Sequence, residues 1–508
     1  MGIIVRQSIK ATIVNYIGVG IGFVTTFFVL TRYLTTEEIG LTRVLIDTAT
    51  MLAGLAQLGT NASVLRFYPY FNNEKNKDHG FFFWTLVVPL IGFLIYGLIY
   101  IVLNVPLSNL YSNKSPLFVD YYYFVLPMGF FMLYMAVFET NSIVLLRIVI
   151  PKFIREVGIR ILTLVTYILY ALQILSIDGF VIAFCFVYGI AALLNIVYLF
   201  SLKRVSLKPD IKFLTKSLKK DYFFYTLFLI TAALGSAIMP GINTFFISAK
   251  MGLAFTGIFT IATQITAMID IPYRSLNAIT QPHISQSVKN GDMAEVNRIS
   301  KNVSLHQFLS GSFIYLIIWI NVDLLFKLLP NGEDYVAGKQ VVLILGLMGV
   351  INSSVNVGTT ILTYSKYYYY SLIFTFIVSA TAISLNIFLI PLWGMSGAAI
   401  ASLLATSLNY ILLLSLNWFK MKTSPFSVGQ LKVAFVVISL FIINWLWSVS
   451  ITHFIQQLHI SDIIRSVVDS SLRTLILISA GVIVVYYWNI SPEVNGLIRK
   501  YGKKLILK

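Results

Sequence analysis

The sequence predicts an all-α integral membrane protein of about fourteen transmembrane helices, and three observations carry that prediction. The 508 residues are 58% hydrophobic and only 11% charged, a balance that water-soluble domains of this size do not show. The apolar residues gather in segments of roughly 20, the length a helix rising ~1.5 Å per residue needs to cross ~30 Å of hydrocarbon. The lysines and arginines, behind a formal net charge of +17, fall in alternate connections between those segments. Backbone polar groups in lipid must pair internally, so the segments are helices.

The first apolar run, 12–33, follows Arg6 and Lys10 as the core of a secretory leader would. It is too long for one, lacks a small-residue cleavage site and is followed at once by a second run, so it reads as a permanent helix. Further spans are expected at 41–65, 81–105, 119–146, 157–176 and 179–201. Six more follow at 222–247, 253–279, 304–327, 336–363, 368–390 and 394–417, and a final pair near 428–449 and 472–490. With a cytoplasmic N-terminus, 28 of the 37 Lys and Arg residues lie inside, so the positive-inside rule places both termini in the cytoplasm and the chain in the inner (cytoplasmic) membrane. The basic charge is thus spent on topology, and nucleic acid is not an expected partner.

The richest basic segment holds Lys203, Arg204, Lys208, Lys212, Lys216, Lys219 and Lys220. It reads as a cytoplasmic linker, 203–220, between an N-lobe of six helices (1–202) and a C-lobe of six (221–418). Residues 419–508 then hold the last helix pair and a basic tail with Arg499, Lys500, Lys503, Lys504 and Lys508. Ordinary topogenic charge touching anionic lipid headgroups accounts for the linker without a regulatory site. A weak repeat supports two lobes: Leu34-Thr35-Thr36-Glu37-Glu38-Ile39-Gly40 joins spans one and two, and Lys250-Met251-Gly252-Leu253-Ala254-Phe255-Thr256-Gly257 joins spans seven and eight. Each second helix is expected to end just before a proline, Pro69 or Pro282. Repeats of this kind recur in transporters that rock two halves about a central site.

The turn after span one, Leu30-Thr31-Arg32-Tyr33-Leu34 with Glu37-Glu38-Ile39-Gly40, and the run Asn386 to Ala401, containing Pro391-Leu392-Trp393-Gly394-Met395-Ser396-Gly397-Ala398-Ala399, carry a resemblance. The chain resembles the polysaccharide-transporter branch of the multidrug/oligosaccharidyl-lipid/polysaccharide exporter superfamily, the group that includes O-antigen flippases. The resemblance implies a two-lobed fold of the MATE/MOP kind with alternating access. It implies a lipid-linked oligosaccharide of the undecaprenyl-pyrophosphate type as substrate, for surface polysaccharide or lipopolysaccharide synthesis, and no enzymatic activity. Implied partners are membrane lipids, a proton or sodium ion, and polysaccharide polymerase or assembly proteins.

Charges within helices are costly, about 2.5–3.5 kcal/mol each at the bilayer centre, and so mark function. Arg43 and Asp47 in span two lie four apart, on one helix face, and are read either as a cavity pair or as an anchoring pair. Asp270 and Arg274 repeat the spacing in span eight, with Pro272 between them freeing the Met268 carbonyl from its helical bond. For Arg274 two readings stand: attraction to a lipid pyrophosphate through paired hydrogen bonds, or a marker of the cytoplasmic helix end. Glu139, about two turns from the cytoplasmic end of span four, is the coupling candidate, with a protonated carboxyl in an interhelical hydrogen bond as the rival role. Pro240-Gly241 in span seven, like Pro272, is a hinge candidate that a static kink would equally satisfy. Gly18 and Gly22 in span one suit close helix packing.

The single cysteine, Cys185, lies in an apolar run, and the five histidines lack ligand spacing, so no metal site is expected and no cofactor is called for. No Gly-rich loop ends in Gly-Lys-Ser/Thr, which removes the usual ATP-driven route. Two rival readings remain. A cation-coupled multidrug exporter of the same superfamily would want more acids in its helices, and drug susceptibility of a deletion strain separates it. A membrane glycosyltransferase or polymerase would want a large outer loop; the longest here, about 450–471, holds only Asp462, Arg465 and Asp469.

Overall fold

The computed structural model describes residues 3–73, 75–210, 213, 215–456 and 461–496. Lys212 and the tail residues Arg499, Lys500, Lys503, Lys504 and Lys508 lie outside the described residues, as do the side chains of Arg6 and Lys10. Every spanning element is a helix, and among the described residues twelve helices are long and apolar enough to cross a membrane. Two local features account for the difference from fourteen. Spans eleven and twelve form one 52-residue stretch, Tyr370–Met421, broken at Gly394, whose φ of 57° and ψ of −135° suit only glycine. The fifth span is the 13-residue helix Ile159–Ala171, entered through a π-turn, Ile154–Gly158, that carries Arg155 and Glu156.

The chain divides into two compact units, residues 1–260 and 261–508. In the first, α1 (Ile3–Val24) leads through a π-turn at Thr25–Leu30 to the loop before α2 (Thr36–Ala56). A capping box starts α2: Glu38 N–H donates to Thr35 Oγ1 at 3.2 Å, and Thr35 N–H donates to Glu38 Oε2 at 2.8 Å. The expected span two is two helices, because Leu58 and Gly59 take φ of 46° and 70° and α3 (Thr60–Phe71) restarts after them. Pro69 lies inside α3 rather than beyond it. The unit's core forms where α5 (Val125–Val144) packs against both α2 and α7 (Ile177–Ser201), with α4 (Phe81–Val102) on α2 and the short α6 (Ile159–Ala171) alongside α7. Leu41, Leu45, Leu133, Phe180 and Phe184 are fully buried there.

Span seven consists of α8 (Lys216–Ile238) and α9 (Ile242–Lys250), joined by a 3-10 turn at Met239–Gly241. The helix α10 (Leu253–Thr266) follows. The two turns of the sequence repeat come together in this unit. A Cβ on Gly40 would collide with the Leu253 carbonyl, and a Cβ on Gly257 with the Thr36 carbonyl.

In the second unit α11 (Asp270–Lys289) packs on α12 (Met293–Leu328), and α13 (Lys339–Val355) lies between α12 and α14 (Tyr370–Leu416). Pro282 lies inside α11. The 36 residues of α12 reach about 54 Å at ~1.5 Å per residue, more than the hydrocarbon needs, so its polar first turns extend beyond the membrane. The final pair, α15 (Val428–Gln456) and α16 (Asp462–Tyr487), closes on α12 through Leu305, Leu316, Val433, Val437, Leu440 and Leu477. Asp469, expected in the outer connection, is in α16. It pairs with Arg473 and accepts from Trp447 Nε1 on α15 at 2.9 Å. Both charges are nearly buried, with side chains 12% and 10% exposed, which in lipid is sustainable only as a pair.

Candidate functional site

In the first unit the Arg43–Asp47 pair is formed and closed. Arg43 Nε donates to Asp47 Oδ2 at 2.8 Å, and Thr244 Oγ1 donates to the same oxygen at 2.7 Å. The bend in span seven makes the second bond. At Pro240-Gly241 the backbone passes so close that a Cβ on Gly241 would sit 3.1 Å from Asp47 Cβ. One turn further on, Thr244 faces the carboxylate. Two predicted features, the charged pair and the hinge candidate, are thereby one piece of structure.

Glu139 sits in a different cluster of the same unit. Arg155 Nη1 lies 3.2 Å from Glu139 Oε2 and Arg155 Nε lies 3.9 Å from Glu156 Oε1. Arg160 Nη2 lies 3.6 Å from Glu156 Oε2. Arg160 also donates to the Gly18 carbonyl. A Cβ on Gly18 would meet the Glu156 carbonyl and one on Gly22 the Arg160 guanidinium, so the small-residue face of α1 packs on this charged segment. Glu139 is 15% exposed and Arg155 55%: the carboxylate is held inside while its partner reaches outward.

In the second unit the chain turns through a 3-10 segment, Ala267–Ile269, and α11 begins at Asp270. Pro272 falls in its first turn, where a missing N–H costs no helical bond. Asp270 does not pair with Arg274; its Oδ1 accepts from Asn352 Nδ2 at 3.3 Å. Asn352 Oδ1 accepts in turn from Asn356 Nδ2 at 3.0 Å and from the Tyr410 hydroxyl. Arg274 is exposed and makes no hydrogen bond or salt bridge among the described residues. Thr244, Asn352 and Tyr410 are site residues that sequence reasoning missed. The four-residue spacing of Asn352 and Asn356 was a signal for the second of these alone; nothing local marks Thr244 or Tyr410.

A family model described as "Polysaccharide biosynthesis protein" matches residues 4–288, more than half of the chain. The chain belongs to this family. No curated protein matches it. Among solved structures, a lipid II flippase MurJ in an inward closed conformation matches with a TM-score of 0.67 at 13% identity, over 94% of this chain and 98% of that one. An inward-facing multidrug resistance MATE family transporter of the MOP superfamily gives 0.60 at 16% identity, over 83% and 98%. A MOP superfamily transporter from Pyrococcus furiosus gives 0.55 at 15% identity, over 83% and 96%. At such identities these matches establish the fold, that of the MOP superfamily, for a multi-pass membrane member of the polysaccharide biosynthesis family.

Proposed function

We propose that the protein is a flippase that carries an undecaprenyl-pyrophosphate-linked oligosaccharide between the leaflets of the cytoplasmic membrane by alternating access, for assembly of a surface polysaccharide. The observation that carries this reading is Arg274: an exposed guanidinium with no hydrogen bond or salt bridge among the described residues, on a span-eight helix of a polysaccharide biosynthesis family member. An unpaired guanidinium at the end of a candidate membrane span, Leu253–Arg274, is open to water or an anion, and a pyrophosphate offers it paired acceptors. The family supplies the sugar, and the fold is one that moves large substrates, since the lipid II flippase and the multidrug transporters share it.

In this reading Arg43 and Asp47 brace the bend at Pro240-Gly241, and Pro272 sets where α11 restarts beside Asp270. Glu139 is the coupling residue: a proton or sodium ion on its carboxylate competes with Arg155 and frees the segment that carries Arg155, Glu156 and Arg160. Arg274→Ala is expected to abolish flipping while the protein still inserts. The measurement is surface polysaccharide in cells carrying the variant as their only copy, with membrane abundance checked on blots. Normal surface polysaccharide would remove Arg274 from the mechanism.

A further inference from the structure

The span-eight site is one end of a longer structure in the second unit. On α11, residues 270, 273, 274, 277 and 281 fall at spacings of three and four and share one face. On the tenth span, Asn352, Asn356, Thr360 and Tyr364 recur every fourth residue, running from α13 into the short helix Val357–Tyr364. The two sets meet rung by rung. Asn352 donates to Asp270 across 82 positions of sequence. Between the rungs the Tyr273 hydroxyl accepts from Asn277 Nδ2 at 3.2 Å. Thr360 Oγ1 donates to Asn277 Oδ1 at 3.4 Å, across 83 positions, and Gln281 Nε2 donates to the Tyr364 hydroxyl at 2.9 Å, again across 83. A constant offset means the two helices run parallel, since an antiparallel pair would hold the sum of the numbers constant.

Interhelical hydrogen bonds in lipid are common as weak glue. Glue does not require the members that stay open. Arg274 and Gln281 are exposed, and Tyr364 is 39% exposed. Acyl chains do not tolerate an Arg, a Gln and a tyrosine hydroxyl in line on one face, so this face borders water. Its chemistry is also selective. Each amide has two donors and an oxygen with two lone pairs. Gln281 uses one N–H in the rung among the described residues, leaving the other N–H and the carbonyl for a ligand. Beside them, tyrosine rings offer flat apolar faces with a polar edge. Amide donors and acceptors next to aromatic faces match a pyranose, which has hydroxyls around its rim and C–H bonds on its faces.

We propose that this ladder is the saccharide-reading surface of the second unit, with Arg274 taking the anionic end of the substrate and Asn277, Gln281 and Tyr364 taking sugar hydroxyls along α11. The assignment rests on the flippase reading above and adds to it the residues that choose the glycan.

The test measures binding of two lipids to the purified full-length protein in nanodiscs. One is undecaprenyl pyrophosphate; the other is the glycan-bearing polyisoprenoid fraction extracted from cells that lack this protein. The double substitution Asn277→Leu with Gln281→Leu is expected to weaken the glycan-bearing lipid by about tenfold or more, because lost hydroxyl partners leave polar groups unpaired, and to change undecaprenyl pyrophosphate by less than about twofold. Arg274→Gln is expected to weaken both lipids by the same factor. The milder pair Asn277→Ser and Gln281→Asn, which keeps polar groups at both rungs, is expected to recover part of the glycan preference and so separates recognition from misfolding. Free glycan released from the extract by mild acid serves as competitor and is expected to displace the glycan-bearing lipid but not undecaprenyl pyrophosphate.

A wild-type protein that binds both lipids equally, or a double variant that weakens them equally, overturns the ladder alone. A wild-type protein that binds neither overturns the flippase reading, and the ladder with it.

Discussion

Spans two and eight each set an arginine and an aspartate four residues apart, and the structure treats them oppositely. In span two the pair is closed, and Thr244 from span seven adds a third contact to Asp47. In span eight Asp270 turns to Asn352 and leaves Arg274 open. The spacing says that two side chains can meet. A third group on another helix decides whether they do. Where that group is a hydroxyl donor beside a bent backbone, the carboxylate keeps its arginine and the site is a brace. Where it is an amide linked onward to Tyr410 and Asn356, the carboxylate joins a network and the arginine is left without an ion pair.

The contrast is broken most directly at Asp47. Asp47→Ala leaves the Arg43 guanidinium, 29% exposed, without its carboxylate, and is expected to destabilise the protein by about 3–5 kcal/mol. Thermal unfolding in detergent reads the loss; a variant as stable as wild type would make span two no brace at all. A smaller effect sharpens the assignment of the third contact. Thr244→Val keeps the shape and removes one charge-assisted hydrogen bond, for an expected loss of about 1.5–3 kcal/mol, absent when Asp47 is already alanine. The smallest effect belongs to span eight. Asp270→Asn preserves an acceptor for Asn352, and since Asp270 and Arg274 form no salt bridge among the described residues, the expected change is below about 1 kcal/mol with flipping retained. A large loss there would show that the two sites work alike.

The helical class, the order of the spans and the family-like turns were legible because they depend on local composition. The Pro391 to Gly397 run does form the break between spans eleven and twelve, at Gly394. Span five was harder to delimit, since its charged π-turn depends on Arg155, Glu156 and Arg160 finding one another, Glu139 and the Gly18 carbonyl. Hydropathy shows such charges only as an interruption. Asp469 was misplaced for a related reason: a charge near a helix end looks like a loop until Arg473 and Trp447 supply its partners. The ladder was the least legible feature. Its rungs are set by an offset of 82 or 83 residues, and no local window contains both sides.

Two glycines stand where the repeated turns meet. Gly40 lies against Leu253 while Gly257 lies against Thr36; Thr36 and Leu253 open the two helices, and the glycines stand four residues into each. A contact in which each element presents to its counterpart the same position it receives is what a two-fold axis produces between identical subunits. Here both partners of the reciprocal contact lie in one chain, at the two turns of the weak sequence repeat. Neither glycine can be replaced unless the carbonyl that opens the other helix gives way.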